Sequence, residues 1–302
     1  MAASGRPRPG PGRGARSTAL LRWFDERRRD LPWRRTRDPW AVLGSELMLQ
    51  QTQVARVLPR YEAFLARWPT PATCAAAPLA EVVEAWAGLG YNRRAVNLHR
   101  AAALVAARAD GAFPDDLAGL LALPGVGPYT ARAVLAFAFE ADVGVVDTNA
   151  ARVLARWTGR SLRPAEVQAA ADAAVPHGQG WAWNQAMLDL GATVCRPRPH
   201  CDVCPVSSWC EWALAGRPAP DPAVGSAGVA GGQSRFEGSD RQGRGRLVDA
   251  LRRGPVRADG LAAAMGWPDD PARADRVAAT LVADGLAERD PAGTHRLPGR
   301  RP

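Results

Sequence analysis

Apolar residues recur at three- and four-residue spacing through most of residues 19–214, for example in Val42-Leu43-Leu47-Leu49, Leu98-Ala102-Val105, Val134-Leu135-Phe137 and Val153-Leu154-Trp157. Residues three and four apart share one face of an α-helix, so this period predicts amphipathic helices. Breakers at Pro59, Pro69, Pro78, Gly88, Gly90, Gly111, Gly125, Gly127 and Pro164 divide the run into short helices joined by turns. No long apolar–polar alternation argues for a sheet, and the expected class is all-α. Residues 217–235 are mostly Pro, Gly, Ala and Ser with little to bury, the composition of a linker. Beyond it, residues 236–302 predict a small module. Leu247-Val248-Leu251, Leu261-Met265 and Val277-Leu281-Val282 mark three helices, and a turn at Pro291-Ala292-Gly293 sits between two short strands. Three helices and a hairpin is winged-helix order. Such modules bind DNA or protein, and only Arg273 and Arg276 stand on the third helix, so the order alone assigns neither.

Composition narrows the partners. The chain has 302 residues, with 39 basic against 30 acidic, for a net charge of +9. That balance suits a polyanion, nucleic acid first. Every basic residue is arginine; lysine and isoleucine are absent. Schiff-base and P-loop lysines are therefore excluded. No run approaches the ~20 apolar residues of a membrane span, and the Gly/Pro/Arg-rich residues 1–18 lack the apolar core of a signal peptide. The expectation is a cytoplasmic protein, meeting DNA at the nucleoid, with residues 1–18 as a disordered basic arm.

Three constellations carry chemistry. Four of the five cysteines form Cys195-x5-Cys201-x2-Cys204-x5-Cys210. Such a cluster in a chain this long reads as a metal site rather than a disulfide framework. One close pair flanked by single cysteines suits a cubane better than the paired spacing of zinc sites; zinc and plain buried thiols stay open at this point. His200 reads as a solvated loop residue. Second, Leu123-Pro124-Gly125-Val126-Gly127 lies between two predicted helices, where backbone N–H groups and a helix N-terminus can meet a phosphate. Third, Asp147 stands before the helix through Val153 and Trp157, and Glu46 lies inside a largely apolar helix. Asp147 could be a simple N-cap. A carboxylate on an apolar helix is unusual unless functional, and two carboxyls in contrasting surroundings suggest divided roles.

Taken together, Leu31-Pro32-Trp33-Arg34, Ser45-Glu46-Leu47-Met48-Leu49-Gln50-Gln51-Thr52-Gln53-Val54, Gly88-Leu89-Gly90-Tyr91, Leu123-to-Gly127, Asp147-Thr148-Asn149, Asn184-to-Gly191 and the cysteine loop resemble the helix–hairpin–helix DNA glycosylases, specifically the MutY-type A/G-specific adenine glycosylases. The resemblance covers about residues 21–212. It implies two helical subdomains flanking an active-site cleft: a six-helix barrel over residues 35–140, and a cluster subdomain from a first helix in 19–34 plus residues 141–216. It further implies a [4Fe-4S] cluster on Cys195, Cys201, Cys204 and Cys210. The implied reaction is hydrolysis of the N-glycosidic bond of adenine mispaired with 8-oxoguanine or guanine in double-stranded DNA, by a monomer. By the same resemblance Glu46 protonates the purine, Asp147 stabilises the cationic sugar, Tyr129 lies between the two acids, and Asn149 orients the sugar. Arg29, Trp33, Arg34, Leu49, Val54 and Gln185 match adenine-pocket positions. Gln51, Thr52 and Tyr91 match residues that wedge beside the opposing base, and Gly125, Val126 and Gly127 form the DNA-binding turn.

Some features depart from the pattern. The first cysteine spacing is one residue shorter than is usual, and Asn92 stands where an aromatic is frequent. Residues 236–302 are too few for the Nudix-like domain of well-known relatives. The lyase position holds Tyr129 instead of lysine, which predicts a monofunctional enzyme. The rival readings are another iron–sulfur glycosylase of the endonuclease III type, against which Gln50-Gln51-Thr52 and Gln185 speak, and a non-catalytic DNA-binding module with a structural cluster.

Overall fold

The computed structural model describes residues 13–229 and 235–300. Its helices, in chain order, are α1 (Arg13–Arg27), α2 (Pro39–Leu49), α3 (Val54–Arg67), α4 (Pro71–Ala76), α5 (Leu79–Ala85), α6 (Arg93–Ala106), α7 (Leu117–Leu121) and α8 (Pro128–Ala138). These are followed by α9 (Thr148–Thr158), α10 (Pro164–Ala174), α11 (Gly180–Thr193), α12 (Glu211–Leu214), α13 (Asp240–Arg253), α14 (Leu261–Met265) and α15 (Pro271–Ala283). Among the described residues, one antiparallel hairpin, β1 (Glu288–Arg289) with β2 (His295–Arg296), accompanies these helices. The fold class is all-α, as the periodicity predicts. The chain divides into two compact units, one of residues 1–30 with 132–231, the other of residues 31–131 with 232–302.

In the first unit, α1, α9 and α11 share a core in which Leu20, Phe24, Val153, Leu154, Trp183, Ala186 and Leu190 are buried. Asp147 starts α9 by accepting from the Ala150 N–H, and Gly159 ends it in the left-handed region at φ 65°. The predicted arm does not reach residue 18: α1 begins at Arg13, and the Arg16 guanidinium lies 4.5 Å from the Trp157 ring centre. Residues 1–12 lie outside the described residues. The predicted linker is not loose over its first half. Asp221 pairs with the buried Arg156 at 2.6 Å, the Ala227 N–H donates to the Leu162 carbonyl at 2.8 Å, and Ala223 and Ser226 are buried. Small side chains let this segment lie close against α9, and Asp221 offsets a cation that would otherwise be buried alone. Residues 230–234 lie outside the described residues.

In the second unit, α2 is apolar on all sides, and every residue from Trp40 to Met48 is buried. Asp38 caps it and Pro39 takes the first turn, where no N–H is missed. The Trp40 indole N–H donates to the Trp68 carbonyl at 2.9 Å, and Phe64 meets Trp40, Trp68 and Trp86 at 6.0, 5.0 and 6.4 Å between ring centres. These rings hold α2, α3 and the end of α5 in one core. The predicted helix–turn–helix is α7, capped by Asp116, followed by α8.

The C-terminal module has the predicted order of α13, α14, α15 and hairpin, with an added bridge from Val256 to His295. It is not a body tethered by a linker, because it belongs to the second unit. The Arg252 guanidinium, largely buried, donates to the Val83 carbonyl at 2.8 Å and to Asn92 Oδ1 at 2.9 Å, and the Ala80 N–H donates to the Pro298 carbonyl at 3.1 Å.

Candidate active site

In the second unit, Glu46 sits on the buried core of α2 at 6% exposure. The helix ends at Leu49, and the chain turns outward through Gln50, whose amide donates to Thr130 Oγ1 at 3.2 Å. Gln51 follows at φ +56° and is exposed. Across from it, Tyr91 has φ +45° and is 45% exposed. Non-glycine residues in the left-handed region are strained, and such strain persists where surrounding structure enforces it.

What enforces it here is Arg94, which the sequence reading passed over. Its buried guanidinium donates to the carbonyls of Leu47 (2.6 Å), Met48 (2.9 Å), Gln50 (2.6 Å), Leu89 (3.0 Å), Gly90 (2.8 Å) and Tyr91 (3.3 Å), and to Thr52 Oγ1 at 3.0 Å. Two loops thus share one cation. Burial draws its pKa down to about 10, which leaves it charged at neutral pH. Thr52 joins the loops a second time, its hydroxyl donating to the Leu89 carbonyl at 3.0 Å. No local period marks a buried arginine, which reads in sequence as a solvated charge.

The glycine turn has a steric basis. Gly125 has φ +79°, and a Cβ there would stand 2.7 Å from that of Asn97. At Gly127 a Cβ would meet nothing within 4 Å, so the backbone faces open space in front of α8. Val126 is buried beneath, and Tyr129 is half-buried in the first turn of α8. Of the predicted adenine-pocket residues, this unit holds Trp33 and Arg34, both buried, with Leu49 and Val54 half-buried. Trp33 stands edge-on to Tyr61 at 5.4 Å.

In the first unit, Asp147 Oδ1 accepts from the Ala150 N–H at 2.7 Å and Oδ2 from Asn149 Nδ2 at 2.8 Å. Burial raises its pKa; the two hydrogen bonds and Arg152 oppose that without cancelling it. Arg152 donates to Asn149 Oδ1 at 2.7 Å, to the Gly191 carbonyl at 2.7 Å and to the Cys195 carbonyl at 2.7 Å. One side-chain relay therefore runs from Asp147 through Asn149 and Arg152 to the first cysteine. Gly191 is required beside it, since a Cβ would come 2.6 Å from that of Asn149. Gln185 is buried on α11. Arg29 makes an ion pair with the buried Asp189 at 2.6 Å, an anchor between the end of α1 and α11 that sequence reading did not anticipate.

Cys195, Cys201, Cys204 and Cys210 line one small cavity together with Arg156, Trp157, Leu190 and Trp212. Burial pushes the Cys204 thiol up to about 12 and raises Cys195 and Cys210. Arg156, 1% exposed, donates to Cys195 Sγ at 3.3 Å and to the Arg196 and Pro197 carbonyls at 2.7 and 3.0 Å, fixing the loop that carries the first thiol. Among the described residues, no three His, Cys, Asp or Glu side chains converge as ligands of a single ion. His200 is exposed, as expected for a loop residue.

Residues 45–177 match the family model of the HhH-GPD superfamily base excision DNA repair proteins. Over 286 residues the chain is 44% identical to the adenine DNA glycosylase of Mycolicibacterium smegmatis, a match covering 93% of this chain and 95% of that protein. It is likewise 44% identical over 292 residues to the adenine DNA glycosylase of Mycobacterium tuberculosis, covering 93% of each. Among solved structures, a thermostable thymine-DNA glycosylase aligns with a TM-score of 0.62 at 30% identity, covering 67% of this chain and 97% of that one.

Proposed function

Because the chain belongs to the adenine DNA glycosylases of the HhH-GPD superfamily, enzymes of base excision repair that hydrolyse N-glycosidic bonds, we propose that it removes adenine from A·8-oxoguanine and A·G mispairs in duplex DNA and leaves the strand intact. The observation that carries the reading is Asp147: a half-buried carboxylate with both oxygens engaged, at the positive end of α9. Those donors hold the anion in place although burial penalises it. An anion fixed in a poorly solvated position attracts a developing cation more strongly than one in water. Asp147 thus stabilises the positive sugar as the bond breaks, and Asn149 keeps it aimed. Glu46, buried on α2, delivers the proton that makes adenine a neutral leaving group. Trp33, Arg34, Leu49, Val54, Arg29 and Gln185 receive the extruded base, and Gln51, Thr52 and Tyr91 enter the duplex as it leaves. Gly125 to Gly127 hold the backbone phosphates.

The four cysteines fit a [4Fe-4S] cluster: all are thiols, and all border one cavity. Cys195, Cys201, Cys204 and Cys210 would hold it, and the group would supply a rigid brace for the loop after α11. A brown protein with about four irons per chain is expected. A colourless protein with stoichiometric zinc after anaerobic purification would reverse the assignment.

The deciding assay uses duplexes that differ only in the base opposite adenine. Adenine release is expected from the 8-oxoguanine and guanine pairs and not from A·T. Glu46→Gln should bind the mispair yet lose release by several orders of magnitude; near-normal release would sink the acid role. With no lysine and arginine permanently protonated, borohydride should trap no covalent complex at equimolar enzyme, and trapping at the rate of base release would refute strand-sparing hydrolysis.

A further inference from the structure

Residues 217–229 have the composition of a linker, yet two of the side chains that line the cysteine cavity are held from this segment. The first is Trp212. Its indole N–H donates to the Pro218 carbonyl at 2.8 Å, and its own carbonyl accepts from the Arg217 N–H at 2.8 Å. The second is Arg156. Its Nε donates to Asp221 Oδ1 and Oδ2 at 3.1 and 3.2 Å, and its Nη2 donates to Oδ2 at 2.6 Å. The remaining nitrogen, Nη1, donates to Cys195 Sγ at 3.3 Å and to the Arg196 carbonyl at 2.7 Å. One guanidinium therefore carries the carboxylate on one edge and the first thiol on another, and it lies 5.0 Å from the Trp212 ring centre. Beyond Asp221 the segment is anchored again. The buried Ser226 hydroxyl accepts from the Leu162 N–H at 3.0 Å, and a Cβ at Gly228 would stand 3.0 Å from that of Ala151 on α9.

A planar guanidinium gripped along one edge by a carboxylate has its other nitrogens fixed in direction as well. The Arg156 side chain is 2% exposed and that of Asp221 24%, so a cation facing Cys195 from the interior is balanced by an acid that water still reaches. We propose that Asp221 is a positioning residue for the group held by the four cysteines: it fastens residues 217–229 to the cavity wall and, through Arg156, sets both the retention of that group and its reduction potential. This rests on the reading of the cysteine loop as a [4Fe-4S] site. Partners one step removed from a metal's ligands act on affinity and potential through orientation, charge and solvent access. Losing the acid leaves an unbalanced cation beside Cys195, which favours an added electron. Losing the cation leaves an unbalanced anion, which opposes one.

The test uses the purified, iron-loaded protein. Loss of its visible absorbance in excess EDTA should run about tenfold faster in Asp221→Ala, and close to the parent rate in Asp221→Glu, which keeps the charge. Asp202→Asn, which neutralises an exposed acid inside the cysteine loop, should also match the parent. Protein-film voltammetry supplies a readout that loosened packing would not give. Asp221→Asn should move the midpoint potential upward and Arg156→Gln downward, with Asp221→Glu leaving it in place. Should Arg156→Gln fail to retain iron, the comparison of Asp221→Asn with Asp221→Glu decides alone. Parent-rate bleaching in Asp221→Ala, equally fast bleaching in Asp202→Asn, or an unmoved or lowered potential in Asp221→Asn would each overturn the assignment, as would shifts of one sign in both partners. Parent protein that carries zinc and no iron would instead refute the cluster reading, whatever the variants show.

Discussion

Asp147 works at the expense of the fold around it. Burial raises its pKa, so folding favours the neutral carboxyl relative to the unfolded chain. The stability this contributes is fully present below the unfolded value, near 4, and is lost as pH rises through the elevated native value. At neutral pH the ionised carboxylate is a net burden. Asp147→Asn keeps a capping acceptor and should raise the melting temperature by a few degrees at pH 7, with the gain shrinking toward pH 4, while adenine release collapses. A variant that melts lower at pH 7 would contradict the burial argument. In the unsubstituted enzyme, release should fail on acidification with a midpoint above that of a free aspartate, read from a single-turnover pH profile. The cap reading of Asp147 is met, since its side chain accepts from the Ala150 N–H, and the proposed catalytic role uses the same hydrogen bond to hold the carboxylate. Glu46 was legible for a related reason: a carboxylate on a helix apolar all round has no solvent face to occupy. Arg94, Arg152 and Arg156 were not legible. In one dimension each resembles a surface charge, and only the three-dimensional meeting of carbonyls from distant loops shows why it is buried.

Elements were readable where a local rule decides them. The turn at Gly125 is one such place, since φ +79° and the nearness of Asn97 leave no room for a side chain. Gly125→Ala should cost about 1–3 kcal/mol through backbone strain and crowding; the measurement is chemical denaturation alongside duplex affinity. The loops after α2 and before α6 are the opposite case, because each takes its shape from Arg94 rather than from its own residues. Arg94→Leu leaves several carbonyls without donors, at about 1–3 kcal/mol for each that water cannot reach. It should lower the melting temperature by several degrees and disturb Gln51 and Tyr91 together. Arg94→Lys, with a single ammonium in place of a fork, should recover only part of the loss. Retained stability and mispair affinity in Arg94→Leu would show that the loops hold themselves. The helices themselves followed from apolar spacing. Their boundaries moved where tertiary contacts ruled, as at Arg13, where stacking of Arg16 on Trp157 extends α1 beyond what composition suggests.

At the scale of the molecule, composition misjudged continuity. A Pro/Gly/Ala/Ser stretch promised two independent halves, and on that view removing residues 236–302 would leave excision unharmed. Arg252 changes the expectation. Cutting it away deprives the Val83 carbonyl and Asn92 of their partner and uncovers the face of α5 and α6. The truncated protein should be less soluble and melt several degrees lower, as light scattering and calorimetry would report; an unchanged melting curve would restore the view of a detachable module. The two units also interleave along the chain: residues 132–231 complete one, and residues 232–302 complete the other, whose first part is residues 31–131. On a translating ribosome that order has a consequence. The unit bearing Asp147 and the cysteines has all its residues while the unit bearing Glu46 still waits for its last stretch. For that interval the earlier-made residues 31–131 must remain soluble without their partner, so a stop codon past residue 231 would yield a chain that carries every proposed catalytic residue and one unfinished unit.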